Sequence, residues 1–170
     1  AEGQFRKAGE SRCEKCPQGT STNNTNGGEC KTCSNGKYSN MEGSASCKLC
    51  PRGEFSFGTG NPITSCNKCV AGKQSGKKPG AASCSDCLPG RVSIDGVKCT
   101  LCASGEYQNE QGRTVCKLCK SGKYTNTTGS SSCLECAKGK YTNQEGSQYC
   151  KECLPNSIAP KSGMVNCDEC

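Results

Sequence analysis

The sequence predicts a small disulfide-rich fold of short β-hairpins and turns, arranged as an elongated linear array of ten repeats with no central core. The 170 residues include 20 Cys, a proportion above the ~8–10% that is typical of disulfide scaffolds. Leu, Ile, Val and Phe together number 17, too few to build one hydrophobic core. All the Cys fall in ten Cys-x-x-Cys pairs that recur about every 17 residues. Covalent links must therefore replace the core, as they do in small secreted domains.

The most regular repeat occupies residues 119–136 and reads Cys-x-x-Gly-x-Tyr-x-Asn-x-x-Gly-x-x-x-Cys-x-x-Cys. Asn126 and Gly129 have the residue types preferred at the first and fourth positions of a type I turn. Such a turn would fold the two short arms back on each other and bring Cys119 beside Cys133, where a disulfide can close the hairpin. We expect Tyr124, the large apolar side chain of the unit, to cover the sulfur atoms.

Cutting the chain after the second Cys of each pair divides it into ten repeats, all in one continuous array. The repeats end at residues 16, 33, 50, 69, 87, 102, 119, 136, 153 and 170. One supersecondary unit per period describes a quasi-one-dimensional array, so we expect each repeat to contact only its neighbours along the chain. We also expect the aromatic position to pack on the adjacent disulfide. It is occupied by Phe5, Tyr38, Phe55, Tyr107, Tyr124 and Tyr141.

A glycine stands three residues after the preceding Cys position in nine repeats, and Asn156 replaces it in the tenth. Gly and Asn best tolerate a positive φ, so this position is predicted to be left-handed. Nothing in the sequence predicts a helix, because no amphipathic run with 3.6-residue spacing occurs.

Residues 51–102, repeats four to six, depart from this template. Repeat four has a longer tip, and repeat six is shortened around a tight Asp95-Gly96 turn. The departures would form either a bend in the array or a ligand-binding site. The residues that interrupt the template are Phe55, Phe57, Pro62, Lys77, Lys78 and Pro79.

Other chemistry is disfavoured by the residues themselves. A zinc array matches the Cys-x2-Cys-x13-Cys-x2-Cys spacing approximately, but His is absent and the period does not divide into four-Cys sites. Redox catalysis requires one reactive Cys pair in a βαβ context, whereas these ten pairs share one environment. No catalytic set, phosphate-binding loop or cofactor motif is present. The net charge of +7 is spread along the chain, which argues against a nucleic-acid surface.

The segments Cys16-Pro-Gln-Gly-Thr-Ser, Cys50-Pro-Arg-Gly-Glu-Phe and Cys119-Lys-Ser-Gly-Lys-Tyr resemble the ephrin-receptor-like cysteine-rich repeat. That repeat belongs to the growth factor receptor cysteine-rich group, and its hairpin is similar to the first module of tumour necrosis factor receptor domains. The resemblance covers the whole chain. It says little about function, because such repeats occur in receptors, protist surface proteins and extracellular fibres, and it transfers no ligand-binding residue.

The resemblance implies that the second Cys of one pair bonds to the first Cys of the next. The implied disulfides are Cys16–Cys30, Cys33–Cys47, Cys50–Cys66, Cys69–Cys84, Cys87–Cys99, Cys102–Cys116, Cys119–Cys133, Cys136–Cys150 and Cys153–Cys167. A rival scheme crosses adjacent pairs, joining Cys13 to Cys30 and Cys16 to Cys33. It predicts an alternation over 34 residues, which the near-identical repeats seven to nine do not show.

Taken together, the residues indicate a secreted or cell-surface structural protein. So many Cys stay paired as disulfides only in an oxidising compartment. The chain would form a disulfide-laddered rod in a fibre, appendage or surface coat. The alternative is the ligand-binding ectodomain of a receptor or a protist surface antigen. Two Asn-x-Thr sequons, at Asn23 and Asn126, lie at predicted hairpin tips and would carry N-glycans. No apolar run approaches the ~18 residues of a membrane span.

Cys13 and Cys170 have no partner in the ladder scheme. Cys170 ends the tenth repeat, and Gly3 and Phe5 lie where they would if a Cys stood just before Ala1, so the chain begins and ends at the same phase of the repeat. Neither end has an atypical capping repeat of the kind that closes such arrays. We therefore expect the 170 residues to be one segment of a longer array. Copies or adjoining segments would meet end to end, with Cys170 bonded to the Cys13 equivalent of the next segment.

Overall fold

The computed structural model describes residues 1–7, 9–25, 28–58 and 60–170. Within these ranges it contains twenty strands of two residues each and no helix. Consecutive strands pair in ten two-stranded sheets, which confirms the predicted class of short hairpins. The strands are β1 (Gln4–Phe5), β2 (Glu14–Lys15), β3 (Thr20–Ser21), β4 (Lys31–Thr32), β5 (Lys37–Tyr38), β6 (Lys48–Leu49), β7 (Glu54–Phe55), β8 (Asn67–Lys68), β9 (Lys73–Gln74), β10 (Ser85–Asp86), β11 (Arg91–Val92), β12 (Thr100–Leu101), β13 (Glu106–Tyr107), β14 (Lys117–Leu118), β15 (Lys123–Tyr124), β16 (Leu134–Glu135), β17 (Lys140–Tyr141), β18 (Lys151–Glu152), β19 (Ser157–Ile158) and β20 (Asp168–Glu169).

Each hairpin begins with a turn that the template glycine makes possible. In repeat eight the Lys123 amide donates to the Lys120 carbonyl at 3.0 Å, and Gly122, the third residue of that turn, has φ +80°. A type II turn requires a positive φ at this place. The other template glycines have φ between 75 and 84°, and Asn156 has φ 65°, so the predicted left-handed conformation is confirmed. The turn delivers Tyr124 opposite Leu134 in the β15–β16 register.

Nine disulfides join the hairpins in a ladder, with Cα–Cα distances of 5.6 to 5.8 Å. They link the nine Cys pairs that the family resemblance implies, and none follows the crossed scheme. Cys13 and Cys170 are free and exposed.

The buried side chains are sulfur atoms and small polar groups, with few aliphatic residues. Six of the Cys that open a hairpin are fully buried: Cys16, Cys50, Cys87, Cys102, Cys119 and Cys136. The residue after the aromatic position is also buried in most repeats: Thr22, Ser39, Ser56, Ser93, Gln108, Thr125 and Thr142. Among the described residues, the buried apolar side chains other than Cys are Ile63, Val92 and Ala159. The prediction that no central hydrophobic core forms is therefore confirmed for the described chain.

The chain divides into two compact units. The first comprises Ala1–Ser85 and Asp95–Lys98, and the second comprises Asp86–Ile94 and Cys99–Cys170. Within each unit successive repeats are joined by main-chain hydrogen bonds. In the second unit, for example, the Gly122 amide donates to the Thr142 carbonyl of the next repeat at 2.7 Å, and the Thr142 amide donates to Met164 at 3.3 Å.

The expectation that each repeat contacts only its neighbours along the chain is wrong. The Gly163 amide in repeat ten donates to the Cys136 carbonyl at the end of repeat eight, at 2.8 Å. In the first unit, Gly43 of repeat three bonds in the same way to Cys16 of repeat one, also at 2.8 Å. The hairpin tips are therefore held by contacts between repeats n and n+2. This hydrogen bond uses the amide of the tip glycine. In the predicted type I turn the same amide would instead donate to a carbonyl of its own hairpin.

Candidate functional site

The feature that recurs with most regularity is a docking contact between alternate repeats, and repeats eight and ten show it clearly. We call Gly122, Glu135 and the Cys136 carbonyl of repeat eight its receiving surface, and Gly163 of repeat ten its tip glycine. The Gly163 amide bonds to the Cys136 carbonyl, while the Gly163 carbonyl lies against the α-carbon of Gly122 and Glu135 flanks the Gly163 α-carbon. Both faces of the tip peptide are thus covered by the receiving surface.

The contact depends on the absence of a side chain at the template position. A methyl group added at Gly122 would overlap the carbonyl oxygen of Gly163. Because glycine permits this close approach and also the positive φ of +80°, one residue meets two separate requirements. The template glycine is therefore fixed by packing as well as by its turn.

Within the described ranges, six bonds of this kind, this one included, have N–O distances of 2.7 to 2.9 Å. Three receiving surfaces place a leucine of the Cys-x-Leu-Cys sequence against the tip glycine, as Leu118 does against Gly146. These leucines are about half exposed, so their packing on the tips accounts for apolar residues on otherwise polar strands. The six bonds are Gly43–Cys16, Gly80–Cys50, Gly112–Cys87, Gly129–Cys102, Gly146–Cys119 and Gly163–Cys136.

The tips of irregular repeats four and six still pack on the template glycine of the repeat two places earlier. Pro62 and Ile63 of the long tip in repeat four lie against Gly19. In the short repeat six, Gly96 lies against the Cys69 carbonyl, and Val97 lies against Gly53. Insertions and deletions at these tips therefore change which groups pack on the template glycine.

A second feature, a buried hydroxyl beneath the tips of repeats eight and nine, was not predicted from the sequence. Thr125 Oγ1 lies 2.7 Å from Ser130 Oγ, which also donates to the Thr127 carbonyl at 2.9 Å. Thr142 and Ser147 are paired in the same way at 2.7 Å. In repeat seven the equivalent residue is Gln108, whose side-chain amide donates to the Val115 carbonyl at 2.8 Å. A Ser or Thr directly after Tyr in repeats three, eight and nine was the available signal.

The predicted aromatic residues are neither in the interior nor in free solvent. Phe5, Tyr38, Phe55, Tyr107, Tyr124 and Tyr141 are all half-buried. Lys117 Nζ lies 6.0 Å from the centre of the Tyr107 ring, at the outer limit of a cation–π contact. The packing of these rings on the disulfides stays a prediction.

Both sequon asparagines, Asn23 and Asn126, are exposed beside their hairpin tips. Asn23 lines an open, polar depression of about 450 Å³ together with Lys31 and Lys37. Thr128, the third residue of the Asn126 sequon, is exposed as well. An enzyme could therefore reach both side chains without unfolding the hairpin.

The charged residues form local surface pairs. Glu110 accepts hydrogen bonds from Arg113 and from Lys117, the latter at 3.3 Å, and these bonds lower the pKa of its carboxyl, Arg113 having the largest effect. Cross-strand pairs join Lys123 to Glu135 at 3.2 Å and Lys140 to Glu152 at 3.2 Å. Exposed pairs of this kind contribute little to stability. No group of three or more His, Cys, Asp or Glu residues in the described ranges could hold a metal ion.

An aromatic side chain in the irregular repeats, Phe57 of repeat four, is 63% exposed. It borders an open depression of about 350 Å³ with Pro62 and Ile63. Lys77, Lys78 and Pro79, the other residues that interrupt the template here, are also exposed. Across the parts of the chain that the structure covers, no helix is long and apolar enough to cross a membrane.

The repeats also match the model of a known protein family. The family model described as "Tyrosine-protein kinase ephrin type A/B receptor-like" matches residues 23–61, 90–132 and 122–170. These matches cover more than half of the chain and include both regular and irregular repeats. No curated protein matches the chain.

Proposed function

Because the chain belongs to the ephrin-receptor-like family of cysteine-rich repeat proteins, a type of extracellular disulfide-rich domain, we propose that it is a structural protein. In this proposal the repeats form a stapled array that serves as a building block of an extracellular fibre, appendage or surface coat. The array has no catalytic role and takes no cofactor. Its partners are other copies or adjoining segments of the same kind.

The observation that carries the proposal is the repetition of one main-chain docking contact along both units. The contact joins a tip glycine amide to a Cys carbonyl at 2.7 to 2.9 Å, and the tips of the irregular repeats four and six still pack on the template glycine. This repeated geometry is distributed over both units, as a structural role requires, and is not confined to one site. Since backbone and disulfides make the array, the remaining surface positions are free to vary, as a coat or fibre protein requires.

Glycosylation at Asn23 and Asn126 belongs to the same proposal. Both side chains are exposed at hairpin tips, and N-glycans there would point away from the disulfide ladder. Peptide mapping of protein isolated from its source is expected to find both sites occupied. Two unmodified asparagines would contradict this part of the proposal and leave the structural role to be tested separately.

The structural role is tested by locating the protein in its native setting. Antibodies raised against the folded chain, used for immunogold labelling of unpermeabilised cells and of shed material, are expected to decorate continuous filaments or a coat at regular intervals. Negative-stain images of the purified native material should show the same filaments. Label confined to the cell interior, or to isolated surface particles without continuous structure, would contradict the proposal.

A receptor or surface-antigen ectodomain is the second candidate, and the exposed Phe57 favours it. An aromatic side chain that is 63% exposed beside an open depression is a common binding feature. Phe57→Ala would abolish capture of a ligand by the folded chain if this candidate is right. Phe5→Ala would serve as a control, because Phe5 is a half-buried template residue in the same unit.

A further inference from the structure

Open grooves lie between consecutive repeats in each of the two units. The groove between repeats seven and eight, which we call the 7–8 groove, holds about 390 Å³. The depression beside Asn23, between repeats two and three, holds about 450 Å³, and we call it the 2–3 groove. Both volumes lie within the ~300–1,000 Å³ of small-molecule sites. The lining of the 7–8 groove includes Tyr107, Asn109, Lys120, Lys123, Ser132 and Cys133.

The two grooves present the same polar side chains at the same template positions. Each has an Asn seven residues after the Cys that ends the earlier repeat, and a Lys four residues after the Cys that ends the later one's predecessor pair. Each also has a Ser directly before the next Cys. The matching residues are Asn23, Lys37 and Ser46 in the 2–3 groove and Asn109, Lys123 and Ser132 in the 7–8 groove.

The charges beside the 7–8 groove are largely balanced, which favours a neutral ligand over an anion. Lys123 pairs with Glu135 at 3.2 Å, and Lys117 pairs with Glu110 at 3.3 Å. Lys117 Nζ also donates to Asn109 Oδ1 at 2.9 Å, so this bond orients the Asn109 amide and its N–H donors remain for a ligand. The groove therefore offers amide, ammonium and hydroxyl donors with little net charge.

Tyr107 adds an aromatic surface to these donors, because its half-buried ring lines the 7–8 groove. An aromatic ring beside several hydrogen-bond donors suits a molecule that has both apolar C–H faces and many oxygen acceptors. A saccharide has this combination. In the 2–3 groove Ser21 stands at the position of Tyr107, with its Oγ 3.3 Å from Cys47 Sγ, so that groove offers hydroxyls in place of the ring.

The 2–3 groove supplies a second, independent indication of a saccharide. Its lining residue Asn23 is the asparagine of a sequon, so the first sugar of an N-glycan attached there would begin at the wall of the groove. Asn109 has the same template position but is followed by Glu110 and Gln111, which do not form a sequon. The 7–8 groove therefore keeps the same polar lining without an attachment point.

We propose that both grooves are binding sites for a short saccharide that contains N-acetylhexosamine. When Asn23 is glycosylated, the 2–3 groove holds the first sugars of that glycan, while the 7–8 groove binds a saccharide of another molecule. In the 7–8 groove the apolar face of one sugar packs on Tyr107, and its oxygen atoms accept from Asn109 and Lys123. The choice of ligand rests on the glycosylation proposed above.

The test is an NMR titration of the disulfide-intact chain, produced without glycans, with di-N-acetylchitobiose. We expect saturable shifts at the matching Asn, Lys and Ser residues of both grooves. In chain glycosylated at Asn23, only the 7–8 groove should respond, because the attached sugar fills the other groove. Absence of saturable shifts, shifts in one groove of the unglycosylated chain, or shifts in both grooves of the glycosylated chain would overturn the proposal.

A point variant tests the 7–8 groove itself. Asn109→Ala should weaken binding there by about fivefold, the effect of one lost hydrogen bond of about 1 kcal/mol, and leave the 2–3 groove unchanged. Asn143→Ala is the matched control, because Asn143 has the same template position but Ser157 replaces the lysine at its boundary. Equal binding by the two variants, each with nine disulfides by mass, would overturn the proposal.

A sulfated disaccharide separates saccharide recognition from simple attraction to the lysines. We expect it to bind no more tightly than di-N-acetylchitobiose, and binding of the neutral probe to change little with salt. Preference for the sulfated probe that disappears as the salt concentration rises would identify a plain cationic surface and overturn the proposal.

The saccharide sites and the glycosylation fail in different ways. If peptide mapping finds Asn23 unmodified but both grooves bind the disaccharide, the glycosylation fails and the sites stand. If Asn23 carries a glycan but the titration shows no binding, the sites fail and the glycosylation stands.

Discussion

Replacing either of two equivalent glycines by alanine gives a sharp test of the contact between alternate repeats. Gly122 and Gly139 have the same φ of +80° and the same place in the template. They differ in what faces them: Gly122 lies against the Gly163 carbonyl, and Gly139 has no atom within 4 Å of a methyl position. Comparing Gly122→Ala with Gly139→Ala therefore isolates the docking contact from the backbone strain.

The expected magnitudes follow from these surroundings. A left-handed alanine costs about 1–2 kcal/mol, and this cost is common to both variants. At Gly122 the methyl group also displaces the tip of repeat ten, which adds about 1–3 kcal/mol for overpacking. Loosening of the Gly163–Cys136 hydrogen bond adds about 1 kcal/mol. Gly122→Ala should thus lower the free energy of unfolding by about 2–4 kcal/mol more than Gly139→Ala does.

The assay is guanidinium unfolding of dilute protein with its nine disulfides intact, in the Cys13→Ser, Cys170→Ser variant so that exchange between the two free thiols and the disulfides does not interfere. Hydrogen exchange locates the effect, because the Gly163 amide should exchange faster in Gly122→Ala and remain protected in Gly139→Ala. Equal destabilisation by the two substitutions, with Gly163 protected in both, would show that docking between alternate repeats adds no stability.

Three further predictions concern the second unit. Removing the Cys119–Cys133 disulfide, which joins residues 14 apart in sequence, by Cys119→Ala and Cys133→Ala should lower the free energy of unfolding by about 3 kcal/mol. A loss well under 1 kcal/mol in guanidinium unfolding would contradict the stabilising role of the disulfides. Thr125→Val removes the 2.7 Å contact with Ser130 and should cost about 1 kcal/mol, while Thr128→Val, at an exposed position, should stay within about 0.5 kcal/mol of wild type. The pKa of Glu110 is lowered, chiefly by its hydrogen bond from Arg113. Its ion pair therefore stabilises the fold above the unfolded-state pKa of about 4.3 and loses this effect as the pH falls through the lower folded-state pKa. An NMR titration should show the Glu110 pKa rising in Arg113→Gln, and an unchanged value would be inconsistent with this cause.

The local conformation of each repeat could be predicted from the sequence because the residues that determine it lie within that repeat. A glycine or Asn156 at the turn sets a positive φ, and the short arms on either side pair as strands, such as Lys123–Tyr124 with Leu134–Glu135. The scarcity of large aliphatic residues by itself excludes a central hydrophobic core. The pairing of particular Cys did not follow from spacing alone, because the spacing admits a crossed scheme, and it came instead from the resemblance to a known repeat.

The contacts between alternate repeats were decided by the tertiary structure. The bond from Gly163 to Cys136 joins main-chain groups, which every residue possesses, so no side-chain pattern in the sequence marks it. The buried Thr125 illustrates the same limit, because a hydroxyl is buried only when a tip folds over it and supplies the partner Ser130. Side-chain periodicity reports which face of an element is apolar, whereas a fold held by backbone hydrogen bonds and sulfur reveals its packing only when the backbones are placed together.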